Sequence, residues 1–260
     1  MRSVELNMEA EFLSIKDQLS SYLYRLTANK EDAEDLVHDT YLKVHKNISN
    51  FRGESEFKTW VFTIATNLAR DHKRVNNRWG LDAQDKCKQA AIEKIEVQQR
   101  MKGAFGSQVE QSFDIKEHIN YCFTCVAKNL SLEKQLAVIL KEVYDFKRTE
   151  IAEILNCSEG VVKHLLFDGR KELQDKFEQR CALINKTGVC YQCAQLNDYF
   201  QVKKDAQEKV KALKLSPNNS SEQNLDLRLE IIQQINPLKG NGALLEDTIL
   251  QILREEISDN

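Results

Sequence analysis

The chain reads as a succession of apolar positions spaced three and four apart. Over residues 8–27, Phe12, Ile15, Leu19, Tyr22, Leu23 and Leu26 line one side of a helix. Asn29 stands where an N-cap belongs, with Glu31, Asp32 and Glu34 in the first turn of a second helix that runs to about Lys46. Ala33, Leu36, Val37, Thr40, Tyr41 and Val44 form its inward face, and Asp32, Asp35, Asp39, Lys43 and Lys46 lie opposite. In 51–78, Phe57, Trp60, Val61, Ile64, Ala65 and Leu68 recur at i, i+3, i+4, i+7, i+8 and i+11, a single apolar stripe. Asn67, Arg70, Asp71 and Arg74 share another face of that helix, which makes it core on one side and a mostly basic reader on the other.

The periodicity weakens over 80–115, a Gln- and Lys-rich stretch with Gly103 and Gly106 that reads as a linker with some helix. It resumes with a helix from Ser131 that places Leu132, Leu136, Ile139, Leu140 and Val143 inside. A short helix, Arg148–Leu155, the break Asn156-Cys157-Ser158 and a longer helix from Glu159 then outline a helix-turn-helix, with Ile151, Ala152, Leu155, Val162, Leu165 and Leu166 packing between its halves. Ser216–Ser221 is a flexible connection, followed by amphipathic segments at 225–236 and 243–257.

Composition sharpens this picture. Only 9 Gly and 2 Pro in 260 residues, with 30% charged, predict an all-α protein. Its expected layout is two small helical domains joined by a linker, plus a helical C-terminal extension. The segments are 1–79, 80–115, 116–198 and 199–260. A net charge of −3 excludes coating of nucleic acid by bulk electrostatics, so contacts must come from local patches such as Arg70–Arg78. No apolar run is long enough to span a bilayer, which predicts a cytoplasmic protein without membrane insertion.

Upstream of the 57–71 helix lies Phe51-Arg52-Gly53-Glu54-Ser55-Glu56-Phe57. Aromatics beside cationic groups can hold an unstacked base while the charges track phosphates. Glycine-rich phosphate loops, nucleophile elbows and H-E-x-x-H are missing, so an enzyme is not expected.

Seven cysteines include two C-x-x-C pairs, Cys122/Cys125 and Cys190/Cys193. Four thiolates are the number a closed tetrahedral zinc site requires, so zinc is the expected cofactor, with His118 or Cys181 as substitute ligands. Buried packing of the thiols and a thiol-disulfide switch are the alternatives.

The stretch NKEDAEDLVHDTYLKVHKNISNFRGESEFKTWVFTIATNLARDHKR resembles region two of bacterial RNA polymerase sigma factors, most closely the extracytoplasmic-function (ECF) type. LSLEKQLAVILKEVYDFKRTEIAEILNCSEGVVKHLLFDGRKELQDKF resembles their region four, in the right order and across a linker. The resemblance implies a protein that binds core RNA polymerase and promoter DNA, and an anti-sigma factor is a further partner it leaves open. By this resemblance Asp32, Asp35, Leu36, Asp39 and Lys43 would dock on polymerase. Phe51, Phe57, Lys58, Trp60, Thr63, Asn67, Arg70, Asp71 and Arg74 would open and read the −10 element. Ser158, Glu159, Lys163, His164, Arg170 and Lys171 would face the −35 element. The family commonly carries a Ser-Arg pair after the lysine; here His164-Leu165 and Phe167-Asp168-Gly169 stand instead, a thinner basic surface. The alternative is a sigma-like scaffold, or a zinc- or redox-responsive regulator, that binds polymerase without melting DNA. A second expectation concerns the tail. Acidic Glu246–Asp259 complements Arg70–Arg78, so the C-terminal helix is expected to cover the promoter-binding face.

Overall fold

The computed structural model describes residues 2–80, 82–106, 115–181, 184, 208, 210–240 and 243–258, and all regular structure among them is helical. The helices are α1 (Arg2–Thr27), α2 (Lys30–Asn47), α3 (Phe57–Asp71), α4 (Lys73–Asn76), α5 (Ala83–Glu93) and α6 (Ile95–Gly106). They continue with α7 (Ile115–Ala127), α8 (Leu132–Val138), α9 (Arg148–Leu155), α10 (Glu159–Arg180), α11 (Ser221–Gln233) and α12 (Ala243–Ser258). The described chain forms two compact units. One holds residues 1–78 and 131–169, the other 79–130 and 170–260. Neither unit is one continuous segment, unlike the order in which the sequence divides.

Local chemistry starts and stops the helices of the first unit. Asn29 caps α2 as expected, its side chain accepting the Asp32 amide at 2.9 Å. Beyond α8, the chain widens into a π-helical turn over Ile139–Val143, closed by the Tyr144 amide on the Ile139 carbonyl. This turn delivers Tyr144 and Phe146 to the core. α9 opens with the Glu150 carboxylate accepting the Lys147 amide at 2.6 Å and ends with Asn156 in the left-handed region. Ser158 Oγ then accepts the Val161 amide as α10 begins. Gly169 marks a close helix crossing, where an added Cβ would meet a Val138 methyl at 2.6 Å.

The buried side of α1 carries Phe12, Leu19, Tyr22, Leu23 and Leu26, with Ile15 at its margin. The α3 stripe is rotated from the expected one. Val61 and Ala65 are buried as foreseen, but Thr59, Phe62, Thr66 and Ala69 complete the core face, and Phe57, Trp60, Ile64 and Leu68 are only half-buried. The reason is tertiary. The Tyr22 hydroxyl bonds Thr66 Oγ1 at 2.8 Å, and the Phe62 ring meets Tyr22, Tyr144 and Phe146 at centroid distances of 5.1, 6.0 and 4.9 Å. Each aromatic pair adds about 0.5–1.5 kcal/mol beyond its area burial.

In the second unit α12 packs on α5 and α6, and α11 on α7. Residues 83–106, within the stretch read as a linker, are therefore built into a helical layer. Ser220 and Gln223 cap α11 reciprocally. Lys94 bonds both oxygens of Glu256 at 2.8 and 2.9 Å, and Arg100 pairs with Glu255. Within the second unit, the tail's carboxylates at 255 and 256 are thus used on Arg100 and Lys94. Trp79 is buried, its amide donating to the Lys128 carbonyl.

Candidate nucleic-acid interface

The Phe51–Phe57 loop follows a 3-10 turn, Ile48–Asn50, and bends at Gly53, whose φ of +69° favours glycine. The bend returns Phe51 and Phe57 to Trp60. Ring centroids lie 4.9 Å apart for Phe51–Trp60, 5.8 Å for Phe51–Phe57 and 6.0 Å for Phe57–Trp60. All three are half-exposed, so this aromatic cluster sits at the surface where the periodicity had placed Trp60 and Phe57 in the core. Large rings clustered at a surface, with the exposed Arg52 next in the chain, are what an unstacked base can enter.

Farther along α3, Asn67 and Asp71 are exposed, and Thr63 bonds back to the Thr59 carbonyl. Arg70 is engaged within the first unit. Its Nε and Nη2 donate to the two carboxylate oxygens of Glu133 at 3.2 and 2.8 Å, Nη2 also donates to the Leu155 carbonyl, and Nη1 reaches Asn67. Lys58 Nζ lies 4.6 Å from the Phe146 centroid and 5.8 Å from Phe62. Burial lowers its pKa, against the opposing pull of Glu150, Glu56 and Asp145. Thr59 faces Glu150 at 3.4 Å. The Arg74 side chain lies outside the described residues. Arg78 donates to Gln135 Oε1 at 2.6 Å, and burial pulls its pKa down to about 10.

On α2 the expected docking residues divide between two faces. Asp35, Asp39 and Lys43 are exposed, while Asp32 and Leu36 turn inward, Asp32 lying 3.9 Å from His72. Leu42, 51% exposed, joins Asp35 and Asp39 at the spacing of one helical face, an apolar contact point the sequence reading had not singled out.

The outward face of α10 carries Glu159, Lys163 and His164, all exposed, with Ser158 at its start. Lys171 is exposed too, and Arg170 is paired with Asp226 in the second unit. Val161 and Phe167, 46% and 68% exposed, are further apolar side chains on the surface of α10, which apolar periodicity would assign to a core. Exposed apolar groups on a recognition helix can contact thymine methyls.

Cys122 is half-buried and Cys125 buried, both on α7 and outside any disulfide. Cys190 and Cys193 lie outside the described residues, among which no group of three or more His, Cys, Asp or Glu is placed to hold a metal. His118, on the same helix, is buried, and desolvation lowers its pKa to about 4. No helix among the described residues is long and apolar enough to cross a membrane.

Two family models and several known proteins are similar to this chain. The family model for Sigma-70 region 2 matches residues 12–79, and that for Sigma-70, region 4 matches residues 122–173. The ECF RNA polymerase sigma-E factor of Haemophilus influenzae is 26% identical over 150 residues, 58% of this chain and 77% of that protein. The ECF RNA polymerase sigma factor SigG of Mycobacterium tuberculosis is 27% identical over 167 residues, 60% of this chain and 45% of its own length. A solved structure, the sigma factor RpoE in complex with the anti-sigma factor NepR from Bartonella quintana, is similar at a TM-score of 0.46 and 21% identity, covering 66% of this chain and 97% of that one.

Proposed function

We propose that the chain is an RNA polymerase sigma factor of the sigma-70 family, in its ECF branch, and that its residues divide the work of promoter recognition and transcription initiation among them. Region two, within 1–79, holds core polymerase and opens the −10 element. Segment 80–115 connects it to region four, within 116–198, and 199–260 is an extension. Asp35, Asp39 and Lys43, with Leu42 between them, meet a polymerase helix, and the buried Asp32 and Leu36 hold α2 in place behind that face.

The surface cluster of Phe51, Phe57 and Trp60 is the observation that carries the −10 assignment. A base lifted from the duplex costs a few kcal/mol, and stacking on aromatic rings returns roughly 1–3 kcal/mol per base. Lys58, Thr63, Asn67, Arg70, Asp71 and Arg74 then track the strand along α3. Over the −35 element Ser158, Glu159, Lys163, His164, Arg170 and Lys171 supply polar and phosphate contacts, and Val161 and Phe167 touch thymine methyls. The chain performs no chemistry itself; polymerase supplies the catalysis, in the cytoplasm. Zinc held by Cys122, Cys125, Cys190 and Cys193 is a separate proposal, supported by thiol number and spacing. Metal analysis of the purified chain tests it, and less than a tenth of an equivalent of zinc would remove it.

Run-off transcription with core polymerase on genomic DNA tests the main reading. Discrete transcripts that Arg74→Ala weakens are expected. Tight core binding with no transcript would instead select a non-melting scaffold.

A further inference from the structure

The second unit holds a pocket between the last turns of α10 and the first turns of α11, with a volume of about 180 Å³. Gln174, Phe177 and Glu178 line it from α10, and Ser221, Asn224 and Arg228 from α11. A dry cavity of about 150 Å³ is enough to admit benzene, so a molecule of one small ring fits. Every lining residue follows residue 173, where the match to Sigma-70, region 4 ends, so the pocket belongs to what this chain adds. Its edge is built by hydrogen bonds. The buried Asn224 accepts the Ser216 amide at 3.2 Å and the Asn219 side chain at 3.0 Å, and donates to the Ser216 carbonyl at 2.8 Å. Residues 216–219, which composition marks as flexible, are thereby tied to α11.

Arg228 is the group that this packing does not explain. It is 4% exposed, with its guanidinium carbon 4.6 Å from the Phe177 centroid and Nη1 donating to the Asn224 carbonyl at 3.1 Å. Among the described residues the guanidinium has no other hydrogen-bond acceptor and no carboxylate within 4 Å. A charge taken out of water is ordinarily paired, because only an opposite charge with good hydrogen bonds offsets its desolvation. Most of the five donors of this guanidinium are left for the pocket. Glu178, the other charge in the lining, is exposed and accepts the Ser221 hydroxyl. The remaining lining includes the apolar Ile184 and Pro217.

We propose that this pocket is a binding site for a small carboxylate with an apolar body, of the size of benzoate. The carboxylate meets Arg228, whose planar fork of donors matches its two oxygens. The body lies against Phe177, Ile184 and Pro217. An inorganic anion has nothing to set against that apolar lining, and an apolar amine would bring a second cation to a buried one. The site goes beyond promoter recognition and does not depend on it.

Isothermal titration calorimetry on the full chain tests the site with benzoate, phenylalanine, benzylamine and inorganic phosphate. Saturable binding of benzoate or phenylalanine, one per chain, is expected. Benzylamine and phosphate should bind about tenfold or more weakly, the effect of losing a charge-assisted hydrogen bond or the apolar contact. The ratio of benzoate to phenylalanine tells a simple acid from an amino acid. Arg228→Met keeps an apolar stem against Phe177 and should weaken the acid that binds about tenfold or more. Gln174→Trp leaves Arg228 in place, fills the pocket and should do the same. Lys211→Met removes an exposed cation elsewhere in the unit and should match wild type. The bound acid should raise Tm of the wild type and of Lys211→Met, and leave that of the two pocket variants unchanged. Failure of both acids to saturate below about 10 mM, or benzylamine or phosphate binding as tightly as either acid, overturns the site. So does undiminished binding by Gln174→Trp, or by Arg228→Met with native circular dichroism. If Arg228→Met does not fold, Gln174→Trp decides. No outcome touches run-off transcription, so failure here and failure of the promoter reading are read separately.

Discussion

Replacing Trp60 by alanine isolates the stacking surface from the rest of α3. The ring is half-exposed and touches Phe51 and Phe57 at centroid distances of 4.9 and 6.0 Å. Losing two such pairs costs the fold about 1–3 kcal/mol, less than the roughly 3–5 kcal/mol expected for truncating a fully buried ring such as Phe62. The functional loss is separate. If Trp60 receives one unstacked base, its removal forfeits roughly 1–3 kcal/mol of stabilisation in the opened promoter, a drop of about fivefold to 150-fold in the opening equilibrium. The assay is 2-aminopurine fluorescence in the −10 region of a promoter recovered from the run-off screen, followed with holoenzyme at saturating core polymerase. Trp60→Ala should lower opening by that factor, Trp60→Phe should stay within a few-fold of wild type, and affinity for core polymerase should be unchanged. Opening by the alanine variant within twofold of wild type would refute the reasoning, because the cluster would then be packing rather than a base site.

Other consequences can be checked alongside. Asn29→Ala removes the side-chain acceptor of the Asp32 amide and should destabilise the first unit by about 1 kcal/mol in urea unfolding followed by circular dichroism. His118 is held neutral by burial with its pKa pulled to about 4, so the unfolded chain takes up a proton below about pH 6.5 that the folded chain refuses. Stability of the chelator-treated protein should thus be complete above that value and fall by roughly 3 kcal/mol as the pH drops to 4; His118→Asn should flatten the titration over that window. On the −35 face, replacing thymine by uracil in a selected duplex should weaken wild-type holoenzyme severalfold but leave Phe167→Ala unaffected, because the missing methyl then has no ring to meet. Lys94→Ala should loosen α12, read as faster amide exchange in residues 243–258 and as a weaker salt sensitivity of that exchange, the Arg100–Glu255 pair supplying what remains.

Much of this protein was legible before any fold was known, because helix signals act over a few residues. The Asn29 cap, the break at Asn156–Ser158 and the apolar spacing of α1 depend on neighbours within one or two turns, and the structure has them all. The Phe51–Phe57 loop was legible for the same reason, as aromatics and a bend-forming glycine in one short run. The side of α3 that faces inward could not be decided that way. Its stripe contains both the expected Val61 and Ala65 and the unexpected Phe62 and Thr66, and the choice was made by Tyr22, Tyr144 and Phe146, far away in the chain. The tail shows the same limit. Charge complementarity suits Glu255 and Glu256 to any basic patch, because Coulombic attraction carries no address, and it was the packing of α12 on α5 and α6 that brought Lys94 and Arg100 to them. The chain by itself determined the helices, their caps and the residue types suited to holding an unstacked base. Tertiary structure alone decided that Arg70 meets Glu133, 63 positions away, because a long-range partner is set by how helices pack and not by any pattern along either one.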